Sequence, residues 1–576
     1  MIGRSTLAGL AAWLLAPFAC ALELQLVPDG LSVLQQQQAQ ALMAETLALL
    51  PPAWQADPRR LPLQFDPALG AEVAGHQWRG RIRLQPALLQ LPRAIPGSGH
   101  DLARASLIHE IAHAFDRQGG GWSSDPQFRR LAGWDRRGSD NPYTLRSPDA
   151  YERHSPAESF AVNLEWYLLD PQYACRRPAL AAWYRQQFGP APHALPCAQA
   201  LPWLAATGRT GGVAIEWIDS ARVHAVDYLL ADSGGPPMSR FGHSMLRLVI
   251  CAPGREPGER CRMDLAHHRV LSFRAFVQDV QVSSWAGLTG GYPSRLFVLP
   301  LDQVIDEYTR VELRDLQAWP LALSAGQIRQ LLHTAAGVHW NYDGDYTFIG
   351  NNCAVETGRL LDTALDPAAG RHYRRTFPRS VLRRLVSDGL AEDAAPGPAD
   401  TASGLYFPSA RAEYSALHAL LRDAGQVPAM TMERWLDAPA AVRGALPADP
   451  TLEQAAAWLV LEQAALRRAQ LRAVERLKPQ LKRSPALDDA VAGWLGWLGR
   501  IDAPGQLPLA GYGLPQADEL AAAAPALQAL ADQGPQKWQQ LQDAAEAALD
   551  ADARAGLVEG RQRVRQVGML LRQRLD

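Results

Sequence analysis

The sequence predicts an α+β multidomain protein that ends in a C-terminal α-helical bundle. Three observations carry this expectation. The chain has 576 residues, too many for one compact core and enough for three or four domains. Up to about residue 390 it alternates apolar runs of strand length with amphipathic runs of helix length, and from Ser409 onward almost only helical periodicity remains. Hydrophobic residues make up 47% and charged residues 20%, which excludes wholesale disorder.

The N-terminus reads as an export signal. Arg4 supplies a positive start, residues 7–15 form a short apolar run, and Ala19-Cys20-Ala21 fits the small-x-small cleavage rule. We expect residues 1–21 to be removed after Ala21, leaving an exported, periplasmic protein. The apolar run is too short to span a bilayer, and Pro17-Phe18-Ala19 before Cys20 is a poor site for lipoprotein anchoring. Net charge is −2, from 57 basic and 59 acidic residues. No polybasic field points to nucleic acid.

Residues 22–206 form the first expected domain, with strands at 22–27, 61–65 and 80–84 and helices at 32–50, 102–117 and 156–169. A Gly/Thr-rich break follows at 208–212. Residues 213–390 form the second, with strands at 213–219, 223–230, 245–250, 270–276 and 295–300, then helices near 324–338 and 354–362. Residues 391–404, AEDAAPGPADTASG, read as a linker. Residues 405–576 form the helical domain, with helices at 451–481 and 485–501 and two more within 536–575. Its basic amphipathic end, Arg561 to Arg574, is a candidate for peripheral membrane contact.

Five of the six cysteines lie beyond the signal. Cys175 and Cys197 flank a proline-rich segment, and Cys251 and Cys261 flank the loop CAPGREPGERC. Both pairs read as local disulfides of an oxidising compartment. Cys353 is left over, and its neighbours decide what it does.

HEIAHAFD at 109–116 has the HExxH spacing. Residues i and i+4 share one helix face, so His109 and His113 can bind one Zn²⁺, with Glu110 placed as general base. A third ligand is needed. In SPAESFAVNLEWYLLDP, Ser155 suits an N-cap, Pro156 suits the first helical position, and Glu158 falls in the first turn. Glu158 is the expected third ligand. This helix pair resembles the gluzincin metallopeptidases, in which a Glu on a following helix completes the site, and implies a zincin-like α+β fold for the first domain. Tyr151 or His154 is a candidate transition-state donor.

In the second domain, SRFGHSMLRLVI places His243 at the start of a strand, and NYDGDYTFIGNNCAVETGRLL places Cys353 at the start of a helix. A cysteine at a helix N-terminus has its thiolate stabilised by free N–H groups. A histidine within reach would take the thiol proton, and the same N–H groups can hold an oxyanion. The order His, strands, Cys-helix resembles permuted papain-like folds of the lecithin:retinol acyltransferase kind. More closely, residues 214–362 resemble the periplasmic domain of Lnb-type lipoprotein N-acyltransferases. That resemblance implies Cys353 as acyl-accepting nucleophile and His243 as its base, with Tyr342 or Tyr346 orienting the site.

His267-His268 lacks a spaced metal partner and reads as a solvated loop. There is no phosphate-binding loop, no CxxC pair and no dinucleotide glycine fingerprint, so nucleotide, haem and iron–sulfur chemistry are not expected. The leading expectation is a cell-envelope thiol-dependent acyltransferase or hydrolase acting on a lipid or lipoprotein, with an accessory domain holding one Zn²⁺. The alternative is a zinc metallopeptidase that uses the Cys/His domain for recognition. A catalytically silent envelope adaptor is the third reading.

Overall fold

The computed structural model describes residues 21–70, 72–91, 101–117, 121–135, 141–143, 145–205, 213–234, 241–275, 292–347, 350–365 and 372–575. The expected signal segment up to Cys20 and the break at 208–212 lie outside these residues. The chain forms two compact units. One comprises residues up to 128 with 151–174 and 180–195, and the other comprises 129–150, 175–179 and 196 onward.

The first unit holds a four-stranded sheet in the order β1-β2-β4-β3. Its strands are β1 Glu23–Val27, β2 Arg60–Phe65, β3 Gly75–Trp78 and β4 Arg81–Leu84. β1, β2 and β4 are parallel, and β3 closes one edge antiparallel. Beside it lies the helix Leu102–Phe115, capped by Asp101, whose carboxylate accepts the Arg104 N–H at 3.0 Å. This helix is buried nearly all round, with Leu107, Ile108 and Ile111 fully inside, and it packs on the helix Pro156–Leu169. An aromatic cluster completes the core. Trp54 stacks on Phe115 at 4.2 Å, and Phe160 stacks on Tyr184 at 5.8 Å. Each such ring contributes about 1.5–3 kcal/mol on burial.

The second unit is built on a nine-stranded sheet ordered β13-β11-β7-β8-β9-β10-β5-β6, with β12 paired to β10. The strands are β5 Ala200–Ala205, β6 Ala214–Asp219, β7 Val223–Ala231, β8 His243–Ile250, β9 Arg269–Ala275, β10 Tyr292–Pro300, β11 Leu316–Pro320, β12 Gly344–Tyr346 and β13 Tyr406–Phe407. β5 precedes the expected break yet is hydrogen-bonded between β10 and β6. One face of the sheet is covered by the helices Ala325–Asn341 and Cys353–Leu365, whose Leu331, Trp340 and Leu361 share a core with Leu246 and Leu248. The opposite face buries Leu229, Met245, Val270 and Tyr308.

Residues 391–404 correct the linker expectation. Gln317 donates to the Pro396 carbonyl at 3.1 Å, the buried Arg247 donates to the Gly404 carbonyl, and β13 follows at once as a sheet edge. Proline and glycine prevent regular structure there, but the backbone carbonyls still serve buried donors. The C-terminal helices also differ from a self-contained bundle. Trp494, Trp497, Leu527 and Leu530 enter the same core as Trp340, while Trp435, Trp458 and Val567 enclose Leu313. In the basic final helix, Arg563 is buried 2.9 Å from Glu462, so part of its amphipathic face serves the interior. Both expected disulfides are present, Cys175–Cys197 and Cys251–Cys261. His268 is fully buried, 2.8 Å from the Cys261 carbonyl, rather than solvated. Among the described residues, no helix is long and apolar enough to cross a membrane.

Candidate functional site

Among the described residues, two clusters bring the candidate site residues together, one in each unit. In the first, His109 and His113 project from one face of the Leu102–Phe115 helix toward Glu158 on the Pro156–Leu169 helix. Ser155 caps that helix by accepting the Glu158 N–H at 3.2 Å, which fixes Glu158 in its first turn. Glu158 Oε2 lies 3.0 Å from His109 Nε2 and 3.2 Å from His113 Nε2, and the two Nε2 atoms are 3.0 Å apart. Candidate ligand atoms of the three residues all lie within 4.8 Å of one another. Three Lewis-base atoms facing one another across a half-buried space are a donor set that suits a divalent cation with nitrogen and oxygen preference.

Sequence reasoning missed Glu165. Its Oε1 lies 2.6 Å from His109 Nδ1, which orients the ring and leaves Nε2 facing His113 and Glu158. The signal was available, because Glu165 follows Glu158 by seven residues and so falls two turns along the same face. Burial opposes charge on His109, yet the bonds to Glu158 and Glu165 prevail and hold its pKa up at about 10. Burial raises Glu110 to about 7. Glu110 lies against the sheet edge, where a Cβ on Gly75 would come within 2.8 Å of its Oε1; only glycine leaves that room. Of the two proposed donors, Tyr151 has its ring 6.5 Å from that of His109, and His154 packs behind Tyr151 at 5.2 Å.

In the second unit Cys353 is, among the described residues, the free cysteine; it is buried at the first position of the Cys353–Leu365 helix. Asn352 caps this helix, its Oδ1 accepting the Ala354 N–H at 3.0 Å and the Val355 N–H at 3.2 Å. Burial pushes the Cys353 thiol up, and the N–H and hydroxyl of Ser244, the Ala354 N–H and the Tyr346 hydroxyl oppose that shift. Tyr346 is thus the tyrosine at the thiol. The Tyr342 hydroxyl instead bonds Glu356, one turn into the helix, where Asn351 Nδ2 at 2.6 Å and Arg359 at 3.0 Å also converge.

His243 sits at the start of β8 as expected, but its hydrogen bond is to Ser272 Oγ at 3.1 Å and its ring stacks on Tyr308 at 6.0 Å. The β8 pleat explains this. Leu246 and Leu248 enter the core beneath the Cys353 helix, whereas Met245 enters the opposite core with Tyr308. With a period of two, Ser244 falls on the first side and His243 on the second. Burial, with Arg274 and Arg314 nearby, drives His243 down to about 3. At neutral pH both the imidazole and the thiol are therefore uncharged.

Residues 214–388 match the family model described as the Lnb N-terminal periplasmic domain, a span containing His243, Ser244, Tyr346 and Cys353. Residues 121–197 match a model described as a domain of unknown function, DUF7844, a span containing Glu158 and Glu165. Neither the curated proteins nor the solved structures gave a match.

Proposed function

We propose that this chain is a cell-envelope, thiol-dependent acyltransferase or hydrolase with Cys353 as its nucleophile and a lipid or lipoprotein as substrate. The observation that carries this reading is the setting of Cys353. It is a reduced, buried thiol at a capped helix start, flanked by the Ser244 and Ala354 N–H groups and the Tyr346 hydroxyl, inside the span that matches the Lnb periplasmic domain.

The chemistry follows from those groups. Cys353 Sγ attacks the ester carbonyl of the donor while its proton passes to a base; for His243, bonded here to Ser272 across the β8 pleat, to be that base, its ring must leave Ser272 and turn past the strand start toward the thiol. The Ser244 and Ala354 N–H groups hold the oxyanion. The donor C–O bond breaks, His243 returns the proton to the leaving alkoxide, and a thioester remains on Cys353. An amine or water then attacks the thioester, and the sulfur regains a proton from that nucleophile. Cys353→Ala should abolish release of alcohol from a labelled phospholipid ester, while Glu110→Gln should leave it intact. Equal rates in wild type and Cys353→Ala would overturn the assignment.

A second reading, zinc-dependent peptide hydrolysis in the zincin-like first unit, is favoured by the convergence of His109, His113 and Glu158. Zinc held by these three would polarise a water or a peptide carbonyl. Glu165 keeps His109 in the ligating orientation, and Glu110 is placed to hold and move a proton. Peptidase activity that survives Glu110→Gln unchanged would remove this reading.

A further inference from the structure

Beside the start of the Cys353 helix the surface carries a feature that the thiol chemistry does not use. Phe241 and Phe377 are exposed, at 57% and 46%, yet their rings pair with each other at 5.0 Å. Both are fixed to the site. Phe241 lies two residues before His243, and the intervening Gly242 has φ +81°, where a Cβ would meet the Ala231 carbonyl at 2.6 Å. Phe377 caps the helix Pro378–Ser387, whose Val381, Leu382 and Leu385 are buried. The preceding Thr376 carbonyl accepts Asn352 Nδ2 at 3.0 Å, and Asn352 is the cap of the Cys353 helix.

Arginines flank Phe377 on both sides in sequence; Arg374, Arg379 and Arg384 are paired with Asp135, Asp232 and Asp388, and Arg375 and Arg383 are the two at issue. Residues 372–387, HYRRTFPRSVLRRLVS, hold five arginines and no acidic residue. Arg375 donates to the Arg374 carbonyl and Arg383 to Ser380 Oγ, and among the described residues neither has a carboxylate partner. An exposed aromatic pair beside unneutralised guanidinium groups matches the interface of a bilayer carrying anionic headgroups, where rings enter the acyl boundary and arginines meet phosphates. We propose that Phe241, Phe377, Arg375 and Arg383 form a docking surface for an anionic lipid bilayer. Its use, presenting ester-linked acyl chains to Cys353, rests on the acyl-transfer reading; the surface itself does not.

The test is pelleting of the mature chain with vesicles of phosphatidylglycerol and phosphatidylethanolamine. Wild type should bind, and should bind phosphatidylcholine vesicles far more weakly. Phe241→Ser with Phe377→Ser, and separately Arg375→Gln with Arg383→Gln, should each weaken binding about tenfold or more. Phe377→Trp, which keeps a ring in place, should gain emission that brominated phosphatidylglycerol quenches. Cys353→Ala should bind as wild type does, which separates loss of docking from loss of chemistry. Three results would each overturn the proposal: a wild type indifferent to the vesicles, undiminished binding by the double Phe variant, or added emission in Phe377→Trp that the brominated lipid leaves unquenched.

Discussion

Glu165 Oε1 stands 2.6 Å from His109 Nδ1, while His109 Nε2 faces Glu158 at 3.0 Å. One carboxylate thus orients the ring that a second carboxylate and His113 share. Removing such an orienting partner costs about 10–100-fold in metal affinity. Glu165→Ala should therefore weaken zinc binding by that factor, measured by competition with a chromogenic chelator, and unchanged affinity would show that Glu165 only fills space.

Metal removal should be visible in stability. A cation that binds the folded trio and not the unfolded chain contributes about 2.7 kcal/mol at a hundredfold excess over its Kd. Adding zinc to chelator-treated protein should raise the Tm, and His109→Ala should remove that rise.

The thiol carries a pH signature. Burial raises the Cys353 pKa, and His243 stays neutral down to about 3, so the resting pair is not an ion pair. A raised thiol pKa leaves little thiolate at neutral pH. Alkylation by iodoacetamide should still be rising with pH beyond the ordinary thiol range, without a step between about pH 5 and 8. A plateau near neutrality would contradict this.

Asp227 is fully buried between Arg247 at 2.6 Å and Arg262 at 3.0 Å. Asp227→Ala would leave two guanidinium groups in the interior without their shared carboxylate and should cost about 3–5 kcal/mol, read from denaturant midpoints. Asp423→Ala, at the exposed pair with Arg422, should change stability little.

What the sequence discloses depends on how local the governing physics is. The trio of His109, His113 and Glu158 is legible because i,i+4 spacing and the Ser155-Pro156 cap act within single helices. Cys353 is legible as a helix start for the same reason. The relation of His243 to Cys353 is not, because it depends on the β8 pleat and on Ser272 and Tyr308, which lie 29 and 65 positions away along the sequence. β5 hides behind Pro202, which argues against a strand; β10 pairs with β5 only at Ala205, so no donor is required of Pro202 on that side. Residues 391–404 show the converse. Their composition sets irregularity, whereas the need of Arg247 for an acceptor sets their packing.

If Cys353 is the nucleophile, it carries an acyl group during turnover. The most direct measurement is mass spectrometry of the Cys353 peptide after incubation with phospholipid vesicles, without an amine acceptor, and acid quenching through a time course. The expected result is an added acyl mass that neutral hydroxylamine removes and that Cys353→Ala lacks. An unmodified Cys353 thiol at every time point, in protein that nonetheless releases the donor's alcohol, would contradict it.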